Sequence, residues 1–102
     1  MTSLKPKSFA LLEKILTGDS GIGTRHFATE DPTELFELSA GQLNQMFERE
    51  APAMAESALT KSLEKAGIRS QDLDALFVCT CTGYLCPGVS SYVAENMGMR
   101  SD

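Results

Sequence analysis

Apolar positions recur at helical spacing in four stretches of the chain and run together without alternation in a fifth. Ser8–Leu16, with its apolar run Phe9–Leu12, reads as a short amphipathic helix or turn behind a loose leader over residues 1–8. Gly18, Gly23 and the polar residues between them break that pattern and leave a loop carrying Arg25 and His26. Asp31-Pro32-Thr33-Glu34 then has the makings of a helix start. The Asp31 carboxylate can accept the free amides of a first turn, Pro32 sits where a missing N–H costs least, and Glu34 can reach back to close a capping box. Leu35, Leu38, Leu43, Met46 and Phe47 follow at helical rather than strand spacing. Pro52 interrupts this helix or opens the next. The second helix, 52–66, gathers Met54, Ala55, Ala58, Leu59, Ser62, Leu63 and Ala66 on one side, and Lys65 and Gly67 make an ordinary C-terminus.

Residues 68–74 form a polar connection. Ala75–Cys81 is a short apolar run with β-branched and aromatic members and no alternation, the pattern of a strand buried on both faces. Gly83 ends it, and Pro87-Gly88 opens a third helix that buries Val89, Tyr92, Val93 and Met97 and stops at Gly98. Helix, buried strand and helix make two thirds of a βαβ unit, and Ile22–Thr29 is a candidate edge strand. The expected class is therefore α/β, helix-rich and incomplete, with a helical pair over 31–66 and a strand-turn-helix over 75–98. A doubly buried strand needs hydrogen-bond partners on both sides, so the chain reads as part of a larger fold.

Size and charge narrow the picture. The chain has 102 residues, with 9 Lys plus Arg against 14 Asp plus Glu, a net charge of -5. That balance argues against nucleic acid as a partner, although a local basic spot can still meet an anionic ligand. No apolar run is long enough to span a bilayer, and the first fifteen positions lack the length and cleavage pattern of a secretory signal. A reducing, cytoplasmic setting with free thiols is the expectation.

Three cysteines crowd the end of the apolar run, Cys79, Cys81 and Cys86. A structural zinc site draws four ligands from paired hooks, and this spacing with a single distant histidine, His26, does not supply them. A Cys79–Cys81 disulfide would be strained on a strand. Cys86 stands close to a helix N-terminus, where a thiol ionises more readily, but no base or orienting acid lies near it in sequence. Small packing thiols around a strand end are the plainest reading, and no metal is expected.

The stretch Phe77-Val78-Cys79-Thr80-Cys81-Thr82-Gly83, the Pro87-Gly88 helix start and the ending Met97-Gly98-Met99-Arg100 resemble the chalcone and stilbene synthase family, the type III polyketide synthases of the thiolase superfamily. Ile22-Gly23-Thr24-Arg25-His26-Phe27 is similar to that family's segment ahead of its long N-terminal helices. The resemblance covers nearly the whole chain and only the N-terminal part of a several-fold longer enzyme. It implies an incomplete thiolase-like fold and decarboxylative condensation with malonyl-CoA. CoA thioesters are then the substrates, no cofactor is tightly bound, and the enzyme is a homodimer with neither nucleic acid nor membrane as partner. By the same resemblance Arg25 helps to hold CoA phosphates, Cys81 and Thr82 line the elongation cavity, and Cys86 crosses the dimer interface. The family's catalytic cysteine, histidine and asparagine match nothing here, which implies an inactive isolated fragment. Two other readings stand beside this one: a small helical module whose acidic helices bind a protein, and a fragment of an initiating ketoacyl synthase.

Overall fold

The computed structural model describes residues 5–18 and 21–102, and the regular structure among them is helical throughout. Helix α1 covers Pro6–Thr17, a 3-10 helix covers Pro32–Glu37, α2 covers Ala40–Ala66, a second 3-10 helix covers Ser70–Asp72, and α3 covers Val89–Asn96. Because Pro6 occupies the first turn, α1 takes in Lys7 and Ser8 from the expected leader; residues 1–4 of that leader lie outside the described residues.

No strand forms among the described residues, which corrects the α/β, thiolase-like expectation. Ala75–Cys81 and Ile22–Thr29 carry no ladder, so neither the buried strand nor the edge strand exists here. The cause is the shortage of partners: a strand's amides and carbonyls need neighbouring backbone or water, and here they face water. Phe77, the bulkiest side chain of the apolar run, is 88% exposed.

The helical pair is also rearranged. Asp31 does cap a helix, accepting the Thr33 amide at 3.0 Å, but that helix is the 3-10 segment and it ends at Glu37. A fresh start follows at Ser39, whose hydroxyl accepts the Gln42 amide while the Gln42 side chain accepts the Ser39 amide, a complete capping box. From there α2 runs 27 residues straight through Pro52, which neither breaks it nor opens a new helix. Pro52 removes one amide, the natural donor to the Glu48 carbonyl, and Glu48 is exposed so that water can reach that turn. The alanines at 51, 53, 55 and 58, with Leu, Met, Glu and Lys around them, favour helix strongly enough to offset the roughly 3 kcal/mol that an interior proline costs.

α2 ends as its sequence implies. Gly67 adopts φ +66°, and the Ile68 amide donates back to the Leu63 carbonyl at 3.2 Å. The same closure ends α3, where Gly98 has φ +62° and the Met99 amide donates to the Ala94 carbonyl at 2.9 Å. In both, only a residue free of a Cβ enters the left-handed region without strain.

The core lies between α2 and α3: Leu63, Val89 and Val93 are its buried apolar side chains, and Tyr92 and Met97 are half-buried. Polar ties run along the same seam. The Asn96 amide group donates to Glu56 at 2.6 Å, and Gln71 donates to the Gly98 carbonyl at 3.3 Å. Arg100 pairs with Asp74 at 3.0 Å. Elsewhere the chain is open. Its radius of gyration is 16.7 Å, where a compact domain of this length has about 13 Å.

Two carboxylates act as local clamps. Thr33, through its hydroxyl and its amide, holds the Asp31 carboxyl below the ordinary value of 3.8. The Arg69 guanidinium and amide hold Asp72 below 3.8 in the same way. A lowered folded-state pKa means that each clamp stabilises the fold fully above 3.8 and is lost as pH falls through the lowered value. In an NMR titration the Thr33 and Arg69 amides are expected to shift with midpoints below 3.8, and in Asp31→Asn the Thr33 transition disappears. Midpoints at or above 3.8 would show that the clamps are absent.

Candidate functional site

The N-terminal half of α2 presents Leu43, Met46, Phe47 and Met54 along one side, and the preceding 3-10 helix brings Leu35 over them. Together they line an open groove of about 620 Å³, with Glu50 its one ionisable lining residue. Thr82 and Gly83 close the groove from the C-terminal side. Two contacts fix them there. The Tyr84 amide donates to the Asn44 side-chain oxygen at 2.8 Å, so a side chain in the second turn of α2 anchors a turn forty residues away. Gly83, at φ +72°, sits so close to Phe47 that a Cβ would run into that ring and its Cβ. The glycine is thus needed twice over, for its backbone angle and for the space. After this turn the chain passes Cys86–Pro87, a cis peptide, and enters α3.

Of the residues singled out by sequence, Thr82 lines the groove and Cys81 does not. Cys79, Cys81 and Cys86 are exposed free thiols rather than packing around a strand end. Arg25 is exposed, far from the groove in its bonding: its guanidinium donates to the Leu16 carbonyl at 3.2 Å, at the end of α1. A cation there faces the negative end of the helix dipole. His26 is exposed in the loop. Among the described residues no three of His, Cys, Asp and Glu gather as metal ligands, and no helix is long and apolar enough to cross a membrane.

Asn44 and Phe47 are the groove residues whose roles the sequence reading passed over. The available signal was Asn44 itself, a polar residue between Leu43 and Met46 on the apolar side of a helix. The groove's lining is mostly apolar, with Asn44, Glu50 and Thr82 as its polar members. Its chemistry, within this chain, is to receive apolar surface.

Comparison with known proteins finds relatives by sequence. A 1,3,6,8-tetrahydroxynaphthalene synthase of Streptomyces peucetius is 36% identical over 95 residues, covering 91% of this chain and 24% of that enzyme. Its namesake in Streptomyces coelicolor is 26% identical over 86 residues, 84% of this chain and 23% of the relative. A phloroglucinol synthase of Pseudomonas fluorescens is 23% identical over 90 residues, 86% of this chain and 25% of the relative. The chain therefore spans about a quarter of the length of the curated relatives it matches. No family model matches the chain, and no solved structure matches it significantly.

The turn against α2 makes a sharp prediction. Gly83→Ala is expected to cost about 2 kcal/mol, from left-handed strain of about 1–2 kcal/mol with steric displacement of Phe47 added. Urea denaturation reads the loss, and Phe47→Ala in the same chain recovers part of it. A cost under about 0.5 kcal/mol, the range of an ordinary surface change, would refute the close approach.

Proposed function

We infer that this chain, related over most of its length to type III polyketide synthases, is part of a CoA-dependent acyltransferase that builds polyketides. The observation that carries the reading is the 36% identity to a tetrahydroxynaphthalene synthase across 91% of the chain. In the proposed reaction a cysteine thiolate displaces CoA from a starter thioester. Malonyl-CoA then loses carbon dioxide, and the electron pair of the broken carbon–carbon bond becomes an enolate. The enolate attacks the enzyme thioester, forms the new carbon–carbon bond and releases the thiolate. The developing oxyanions need preorganised donors, and these and the nucleophile are proposed to lie in the part of the relatives' length that this chain does not span. The 102-residue chain by itself is accordingly proposed to be inactive.

Within that enzyme Arg25 is assigned to the CoA phosphates. Its exposure supports the role, since an arginine fork meets phosphate through paired, charge-assisted bonds. Thr82, with its place on the apolar groove, and Cys81 beside it are assigned to the wall of the elongation cavity. Cys86, exposed on this chain, is assigned to a homodimer interface. The three free thiols fit a reducing, cytoplasmic setting. A second reading, a helical module that binds a protein partner, is favoured by the same exposed groove.

Reading the coding sequence past codon 102 separates the two. The synthase reading expects a continuation containing a Gly-Cys element, whose Cys→Ala replacement abolishes condensation of malonyl-CoA. A stop codon there would overturn catalysis in favour of the binding module. In the longer enzyme Arg25→Ala is expected to raise KM for the acyl-CoA about tenfold with kcat little changed, the loss of one charged hydrogen-bond donor pair. An unchanged KM would remove Arg25 from the CoA site.

A further inference from the structure

We propose that Asn44 is a positioning residue: through the Tyr84 amide it sets where Thr82 stands on the groove wall, and in the longer enzyme it thereby governs how far a growing polyketide thioester is extended. The second half of this rests on the synthase reading and on the place given there to Thr82.

Residues 75–87 run toward α3 without regular structure. Among the described residues one hydrogen bond ties that stretch down, from the Tyr84 amide to the Asn44 side-chain oxygen at 2.8 Å. Its length is that of a well-formed bond. The Tyr84 side chain is 74% exposed, so it is the backbone that is held.

Three residues of α2 make the seat. Asn44, Phe47 and Glu48 fall at i, i+3 and i+4, one face of the helix. The Asn44 nitrogen points at the Glu48 carboxylate, 3.5 Å away, which turns the oxygen of the same amide toward Tyr84. The Phe47 ring meets Gly83 where no Cβ would fit. That apolar contact has no direction of its own, whereas the hydrogen bond has one and fixes the turn. Thr82, just before Gly83, is thereby held on the groove that Leu43 and Met46 also line. Gly83 leaves the backbone other angles to take once the bond is gone, so the wall has a second position available when Asn44 lets go.

The consequence for extension follows from the chemistry proposed above. Each condensation lengthens the chain by two carbons, and the wall at Thr82 sets the room and the hydroxyl that the longer chain meets. Misplacing such a group by about 1 Å costs up to about a hundredfold in the step it serves. Starter loading precedes any lengthening and does not call on that wall.

Two measurements on Asn44→Ala test this. Alanine removes the acceptor and is the better helix former, so circular dichroism is expected to show α2 retained. In the 102-residue chain, hydrogen exchange of the Tyr84 amide is expected to rise about fivefold or more, the factor that one ordinary hydrogen bond supplies. In the longer enzyme, starter loading is expected to stay within about twofold while the ratio of short, prematurely released products to the full-length product rises about tenfold. Asn44→Asp with Glu48→Gln keeps an acceptor for Tyr84 and a donor beside it, and is expected to restore both readings. A merely structural role would instead lower loading and extension together. Unchanged exchange at Tyr84 would overturn the anchor, and so would a collapse of α2 in Asn44→Ala. Faster exchange with an unchanged product ratio would overturn the role in extension. An unsubstituted enzyme that forms no product from malonyl-CoA would sink the synthase reading and the role in extension with it, and the exchange measurement would then decide the anchor alone.

Discussion

The seam between α2 and α3, where Leu63, Val89 and Val93 exclude water, is what the remaining order depends on. A chain with so few buried side chains cannot offset its conformational entropy through a large core. It relies on interactions that restrict the backbone locally. These are the paired capping box at Ser39, the two glycine closures at Gly67 and Gly98, and the side-chain ties from Glu56, Gln71 and Asp74 to the C-terminal residues. Each is individually small, and all but the capping box lie on or beside the α2–α3 seam. The Asn44 anchor extends the same logic outward, drawing the segment before α3 onto the other half of α2.

How far this could be read from sequence depends on the range of the cause. Local causes were legible. The Asp31 cap, the glycine end of α2, and the start of α3 after Pro87-Gly88 with Val89 and Val93 inward are all found where expected. The errors arose where a local sign competed with context. Pro52 is a breaker by itself, yet its alanine-rich neighbours carry the helix through. Asp31 caps a helix, but Ser39 resets it eight residues later with a stronger motif that was present in the sequence and overlooked. The apolar run Ala75–Cys81 has the composition of a buried strand, and composition cannot supply the neighbouring strands that make one.

The contacts that build the groove were not legible in the sequence, for a related reason. Thr82 was identified through family resemblance and does stand on the groove, but what holds it there is a pair of contacts across forty residues, Asn44 to Tyr84 and Phe47 to Gly83. No periodicity along the chain encodes such a pairing. Arg25 was equally visible as a residue type, whereas its bond to the end of α1 depends on how the intervening loop returns. The relatives extend well beyond the span matched here. The groove and the open surface are in keeping with that, because both present apolar area that only further chain or another molecule can cover.

Pro52 divides α2 into two stretches of different character. Most of the groove residues of α2 stand before it, with Met54 just beyond, and Leu63 and the seam with α3 lie further along. One backbone hydrogen bond is missing where the two meet. The helix is therefore graded: amides on the groove side can open and exchange with solvent in local excursions, while those beyond Leu59 open only when the seam itself comes apart. A single rod thus joins a compliant receiving surface to a rigid mount, and the groove can adjust to whatever fills it without loosening the small core behind.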